Sequence, residues 1–304
     1  MKKGLFGTVL ILAGGFLWGT MGMFVKLLSN GGFSTPQITA FRMAAGTAAV
    51  WIFIFFYNKK LFRIRLKDLP LFVITGVFCI SGTSVTYFTT ITHSGMGVAA
   101  VLMYFSPVFV IILSRLFFRE AVTKPKVAAC ILAVAGCALV SGVLSIERIQ
   151  PTYLLTGLAS ALFYGMYSIL SKHLLDRGYH TLTITAYAFL FAAASILFFA
   201  DIPGLYQRIR GDNMLILYGL TLAVAACALP YILYTLGLSY TQTGKAAIMS
   251  SVEPVTAAVL GCVFYREKLD IFQVLGIALV LSSVFVLNVK LRCRGPSQKK
   301  QSTD

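Results

Sequence analysis

One carboxylate sits where lipid-compatible side chains surround it. In AAIMSSVEPVTAAVLGCVFY, residues 246–265, Glu253 is the one charged residue, and Pro254 follows it directly. A charge at the centre of a bilayer costs roughly 2.5–3.5 kcal/mol on insertion scales, so such a group faces a cavity or a partner. Two roles fit. Glu253 can accept a proton or pair with a cationic solute in a polar pathway. It can also be a structural acid, neutral or hydrogen-bonded to backbone that Pro254 leaves free.

Other polar and aromatic residues at comparable depth widen the choice. Arg42 and Lys245 lie inside apolar runs and are suited to attract a substrate carboxylate or to balance Glu253. Lys245 is about 12 Å along a helix axis from Glu253 and ~80° around it, which disfavours a direct bond. Tyr164/Tyr167 and Tyr231/Tyr234 each recur at i, i+3 and so share a helix face. With Tyr87 and Tyr104 they offer phenolic surfaces for aromatic or zwitterionic solutes, or ordinary core packing. Trp18 is mid-run beside Gly15 and Gly19, too deep for an interfacial belt, and suits either stacking on a solute or helix packing. Trp51 lies near a run end and reads as belt. Pro107, Pro254 and Pro230 fall well inside runs, where each removes a backbone bond and tends to kink a helix. His93 reads as a short-loop residue, and His173 and His180 as surface residues at run ends.

Enzyme chemistry finds no footing. No H-E-x-x-H, no paired intramembrane aspartates, no nucleophile–base set and no Walker motif occur. No cofactor and no metal are expected. The six cysteines (79, 130, 137, 227, 262, 293) lack C-x-x-C spacing and read as small packing residues.

The elements that position these residues follow from composition. Of 304 residues 58% are hydrophobic and 12% charged, and the mean hydropathy is +0.84. A soluble domain carries about twice that charge. The apolar residues form ten blocks, at 5–28, 35–57, 69–91, 95–117, 124–144, 152–173, 181–201, 213–238, 243–265 and 271–289. About 20 apolar residues cross the hydrocarbon layer as a helix, so the expectation is an all-α polytopic membrane protein with ten spans. Alternating ten-residue segments are missing, which argues against a β-barrel. The amino-terminal run is too long for a signal-peptide core and reads as an uncleaved first span.

The net charge of +16 is distributed as a topology signal. Among 26 Lys and Arg, nineteen fall on the side of Lys2 and Lys3, six on the other, and Arg42 within a span. The positive-inside rule then places both termini in the cytoplasm, in a cell membrane of bacterial type. Basic runs near anionic headgroups explain the surplus, and nucleic acid is not an expected partner.

The chain also repeats itself. An offset of 147 pairs nine identities between residues 97–120 and 244–267, including Pro107/Pro254, Arg119/Arg266 and Glu120/Glu267. An offset of 146 pairs Trp18-Gly19 with Tyr164-Gly165, and Ile38-Thr39-Ala40-Phe41 with Ile184-Thr185-Ala186-Tyr187. Glu253 pairs with Ser106, so the acid departs from the repeat. Five spans per copy would insert the second copy upside down, and inverted repeats are the sequence mark of secondary transporters. The expected units are 1–147, 148–291 and a basic cytoplasmic tail at 292–304.

Two five-helix units, W-G in span 1, a mid-span proline in spans 4 and 9, [FY]-R-E closing both, and E-P in span 9 resemble the EamA-type drug/metabolite transporter superfamily. The resemblance implies ten helices with cytoplasmic termini and a central cavity lined by spans 1, 3, 4, 6, 8 and 9. It also implies transport of amino acids, metabolites, drugs or nucleotide sugars, commonly by efflux. The resulting expectation is a secondary active exporter of small organic solutes, amino-acid-like, aromatic or drug-like, working by alternating access. Membrane lipid and the solute are its partners, protons are candidate coupling ions, and oligomeric state is not legible. The alternatives are a lipid or undecaprenyl-type flippase and a non-transporting membrane subunit of the same fold.

Overall fold

In the computed structural model the chain is helical, and the structure describes residues 2–141, 150–210, 212–266 and 269–288. Among the described residues the long helical stretches are α1 (Gly4–Asn30), α2 (Thr35–Tyr57), α3 (Leu66–Ser94), α4 (Gly97–Phe118), α5 (Lys124–Val140), α6 (Pro151–Asp176), α7 (Thr181–Ile196), α8 (Asn213–Leu238), α9 (Thr243–Tyr265) and α10 (Ile271–Asn288). Eight are long and apolar enough to cross a membrane; α5 and α7 fall short at 17 and 16 residues. The span expected at 181–201 stops at Ile196, and the chain then enters a separate surface helix, Ile202–Ile209, capped by Asp201. The expected tail, 292–304, lies outside the described residues.

Starts and stops are written locally. Ser34 and Gln37 form a capping box ahead of α2, and proline occupies the first turn of α2, α5 and α6, where its missing N–H is harmless. Arg119 and Arg266, repeat mates, end α4 and α9 in the left-handed region, both at φ 54°. Non-glycine residues rarely adopt that conformation, and its recurrence at both mates is a structural echo of the duplication.

Other irregularities recur in the same way. Runs of π-helical turns lie at Thr75–Gly82 in α3 and Val224–Ala228 in α8. Helix α4 breaks at Tyr104 and α9 at its mate Ser251, with near-identical dihedrals of −71°, 2° and −63°, 0°. These breaks revise the expectation of kinked helices. Pro107 and Pro254 each fall in the first turn of a new helical segment, where no intrahelical N–H is needed. Pro230 opens the segment after the π turns of α8, but α3 has the same turns with Thr83 in its place. The backbone irregularity there does not need proline.

Packing follows the repeat. Helices α5 and α10 pair through close backbone approach: a Cβ on Gly136 would lie 2.7 Å from the Gly276 carbonyl oxygen, and one on Gly276 2.7 Å from that of Gly136. Helix α2 packs on α7, α1 on α8 and α9, and α6 on α3 and α4. At one end the start of α9 reaches across to α4 and α5 of the first half. There the segment Thr243–Ser250, buried except for Lys245, packs against α4, α5 and α6. Its mate Met96–Met103 stays on α3, α5 and α6, without comparable contact on α1 or α9 among the described residues. At the closed end Glu120, just past α4, accepts from the start of α9, and the nearly buried Lys126 ammonium stands 3.2 Å from it. The mate of Lys126 is Gln273, whose amide donates to the Val140 carbonyl at 3.4 Å.

Two expectations about peripheral residues change. Trp51 is not lipid belt: its indole N–H donates to the Ala186 carbonyl at 3.2 Å, and its ring lies against Phe62 and Tyr187. A buried indole needs an acceptor, and α7 supplies it. His93 belongs to the last turn of α3, stacked 4.2 Å from the Tyr153 ring, and not to a loop.

Candidate substrate-binding site

The break in α9 gives Glu253 its setting. Ser251 interrupts the helix, and Glu253 falls in the first turn of the segment Val252–Tyr265. An anion in a first turn is favoured by the free N–H groups and the dipole of that segment. On the lipid-free side α1 presses close, since a Cβ on Gly19 would come within 2.7 Å of the Glu253 carbonyl oxygen. The mate contact exists too: a Cβ on Gly165 would lie 3.4 Å from the Ser106 carbonyl oxygen. The paired small residues thus let α1 and α6 approach the two helix breaks.

Around the acid stand phenols from three helices. Tyr104, at the α4 break, Tyr164 of α6 and Tyr87 of α3 all lie within electrostatic reach of the Glu253 carboxyl. All three keep partial exposure, as Glu253 does, although they face one another inside the bundle. Their partial exposure marks an accessible interior beside the two helix breaks. Trp18 forms the adjoining wall, with ring centroids 5.1 Å from Tyr231, 5.4 Å from Tyr234 and 6.3 Å from Tyr164.

The remaining sequence candidates separate. Tyr231 stays in the aromatic cluster, edge-on to Tyr167 at 4.9 Å. Tyr234 is buried and its hydroxyl bonds Ser168 at 2.7 Å, which ties α8 to α6 and commits it to packing. Arg42 does reach this interior from α2, and Glu253 senses its charge. Lys245 does not. Its side chain points to α10 and the Leu287 carbonyl, 3.5 Å away, because the first segment of α9 turns that face outward. Pro107 and Pro254 shape the breaks beside the cavity, and Pro230 stands near it on α8.

Sequence reasoning missed Ser250, a buried hydroxyl near Tyr164 that donates to the Ala247 carbonyl at 2.8 Å. It also missed Asp68. This acid is fully buried, bonded by the Tyr179 hydroxyl at 2.7 Å, by Arg65 Nε at 2.8 Å and by Arg177, and it joins the foot of α3 to the α6–α7 loop. The triplet Leu66–Asp68 looks like an ordinary loop in the sequence, so nothing local marks its burial.

A multi-span helical membrane protein, with broken helices meeting beside a partly exposed acid and several aromatic rings, has the build of a membrane transporter. The comparisons narrow the class. The model of the EamA-like transporter family matches twice, over residues 5–142 and 151–289, and the chain belongs to that family. Among relatives, an uncharacterized transporter from Archaeoglobus fulgidus is 28% identical over 74% of this chain and 79% of its own. The uncharacterized transporter YwfM of Bacillus subtilis is 28% identical over 95% and 96%. The pseudopaline exporter CntI of Pseudomonas aeruginosa is 26% identical over 93% and 95%. A solved crystal structure shares the fold with a TM-score of 0.76 at 18% identity, covering 93% of this chain and 96% of the other.

Proposed function

We propose that this transporter is a secondary active exporter of small organic metabolites, amino-acid-like or aromatic, that works by alternating access. The units are two inverted five-helix repeats, 1–147 and 148–291, forming ten spans with both termini and the 292–304 tail in the cytoplasm. In that topology the closed end is cytoplasmic and the cavity faces outward. Glu253 is the coupling group, taking up a proton or the cationic end of the solute. Trp18, Tyr87, Tyr104, Tyr164 and Tyr231 form the solute-binding walls.

The observation that carries this reading is the partly accessible Glu253 among phenols at a helix break, at a depth where an idle acid is costly. Support comes from family matches on both halves, from recurring irregularities at repeat mates, and from closure of the halves at one end. An exporter among the relatives supports the direction.

Flux of a metabolite panel in proteoliposomes, under several imposed pH gradients, tests it. Glu253→Gln should insert normally and lose gradient-driven flux. Full flux with an unchanged pH dependence in that variant refutes the coupling role.

A further inference from the structure

Arg42 stands apart from the symmetry that organises the bundle. The Ile-Thr-Ala-aromatic stretch before it matches residues 184–187, yet its mate is Ala188, fully buried against the core. Glu253 and its mate Ser106 show the same kind of departure. The two side chains are of opposite sign, and both lie at cavity depth.

The guanidinium is underused by the protein. Its Nη1 donates to the Met21 thioether at 2.9 Å, and its Nε is buried with no acceptor among the described residues. Sulfur is a weak acceptor, and a buried donor left unmet on a charged group is costly. Met21 begins the second segment of α1 after the break at Thr20, an interruption that the continuous α6 lacks. On the other side Arg42 is within electrostatic reach of Cys227 and Tyr231 on α8. Glu253 senses the guanidinium too, but among the described residues Glu253 makes no ion pair. The opposite charges are close enough to interact but do not pair.

We propose that Arg42 is the carboxylate anchor of the cavity, receiving the acid group of a transported solute whose amino end lies toward Glu253. The planar donor fork of arginine matches a carboxylate in bidentate fashion, with Nε supplying one of the two bonds. A ligand carboxylate would satisfy Nε while Glu253 stays among the phenols. The solute class is therefore small zwitterions and other carboxylate-bearing molecules, and helix α2 becomes a lining element, which the family resemblance alone does not imply. This inference depends on the cavity being the solute site proposed above.

Three matched probes test it by binding to the full-length, detergent-purified protein, read as thermal-shift titrations: phenylalanine, phenylalaninamide and 3-phenylpropionate. Phenylalanine and 3-phenylpropionate should stabilise the protein, and phenylalaninamide should bind at least tenfold more weakly than phenylalanine. Arg42→Gln should weaken phenylalanine binding about tenfold or more and erase its advantage over the amide, since both charged hydrogen bonds of the fork are lost. Arg42→Lys, which keeps the charge without the fork, should retain part of that advantage. The proposal is overturned if the amide binds as well as the acid, if none of the probes binds, or if the acid-to-amide ratio survives in Arg42→Gln. Chloride or phosphate stabilising the protein as well as 3-phenylpropionate also overturns it. Because the readout is binding, loss of gradient coupling in Glu253→Gln and loss of carboxylate preference in Arg42→Gln are separate failures.

Discussion

The Glu120 carboxylate accepts the backbone N–H of Thr243 at 2.7 Å, with the N–H of Gly244 3.3 Å away, so the end of α4 caps the start of α9. Lys126, only 2% exposed, completes the contact. Two donors that a helix start leaves unmet are thereby served by the other half of the molecule. Glu120→Gln would strand a buried ammonium, and removing one member of a buried pair costs about 3–5 kcal/mol. A large drop in melting temperature is expected, with greater reactivity of a cysteine introduced at Ser250.

The same contact has a pH signature. Burial alone would raise the Glu120 carboxyl, but the Thr243 and Gly244 N–H groups and the Lys126 charge together hold it below its ordinary value. A depressed native value means that the stabilisation is complete above the ordinary carboxylate range, and is lost as pH falls through the lowered value. Thermal stability should lose this contribution only below about pH 4. In Glu120→Gln the acid limb of the stability profile should be shallower.

Asp68 gives a milder case. Its partners Arg65 and Arg177 are 52% and 40% exposed and can return to water. Asp68→Asn should therefore cost about 1–3 kcal/mol, less than Glu120→Gln. Tyr179→Phe, which removes one bond to Asp68, should cost about 1 kcal/mol. Chemical denaturation of the three variants side by side gives the order.

The two tryptophans report on different places. With Trp51 replaced by Phe, emission from Trp18 should change when a solute occupies the cavity. With Trp18 replaced, the Trp51 signal should not respond, because that ring is held between α2 and α7 by its bond to Ala186. A solute-sensitive Trp51 signal would contradict this assignment.

Glycine substitutions on α1 separate packing from propensity. A Cβ at Gly19 would lie 2.5 Å from Thr256 Cβ and 2.7 Å from the Glu253 carbonyl oxygen, so Gly19→Val should destabilise by at least 1–3 kcal/mol, roughly the cost of overpacking. Gly22 has nothing within 4 Å of such an atom, and Gly22→Ala should be neutral or stabilising by up to about 1 kcal/mol. Melting temperatures of the two variants decide it.

Much of this was legible in the sequence, because bilayer thickness imposes a length on apolar runs and duplication leaves constant offsets. Glu253, Trp18, Tyr104 and Tyr164 stood out by depth and by their place near the repeat's glycine and proline motifs, and the fold sets Trp18 beside Tyr164 and both tyrosines near Glu253. Lys245 misled because a helical offset from Glu253 assumes an unbroken helix, and Ser251 breaks it. Trp51 misled because height in the membrane says nothing of which neighbour faces the ring. Asp68 and the Glu120–Thr243 contact were invisible, since both join segments more than a hundred residues apart.

The unequal mates Lys126 and Gln273 carry a consequence for idle molecules. If the halves exchanged arrangements, the ammonium that now braces Glu120 would be answered at the far end by a neutral amide. The two rest positions are then not isoenergetic, and a gap of a few kcal/mol would leave well under a tenth of the population in the rarer one. Under the proposed alternating-access reading, the arrangement braced by Lys126 is the one an unloaded protein would favour, and a bound solute would have to offset the bracing lost in the other.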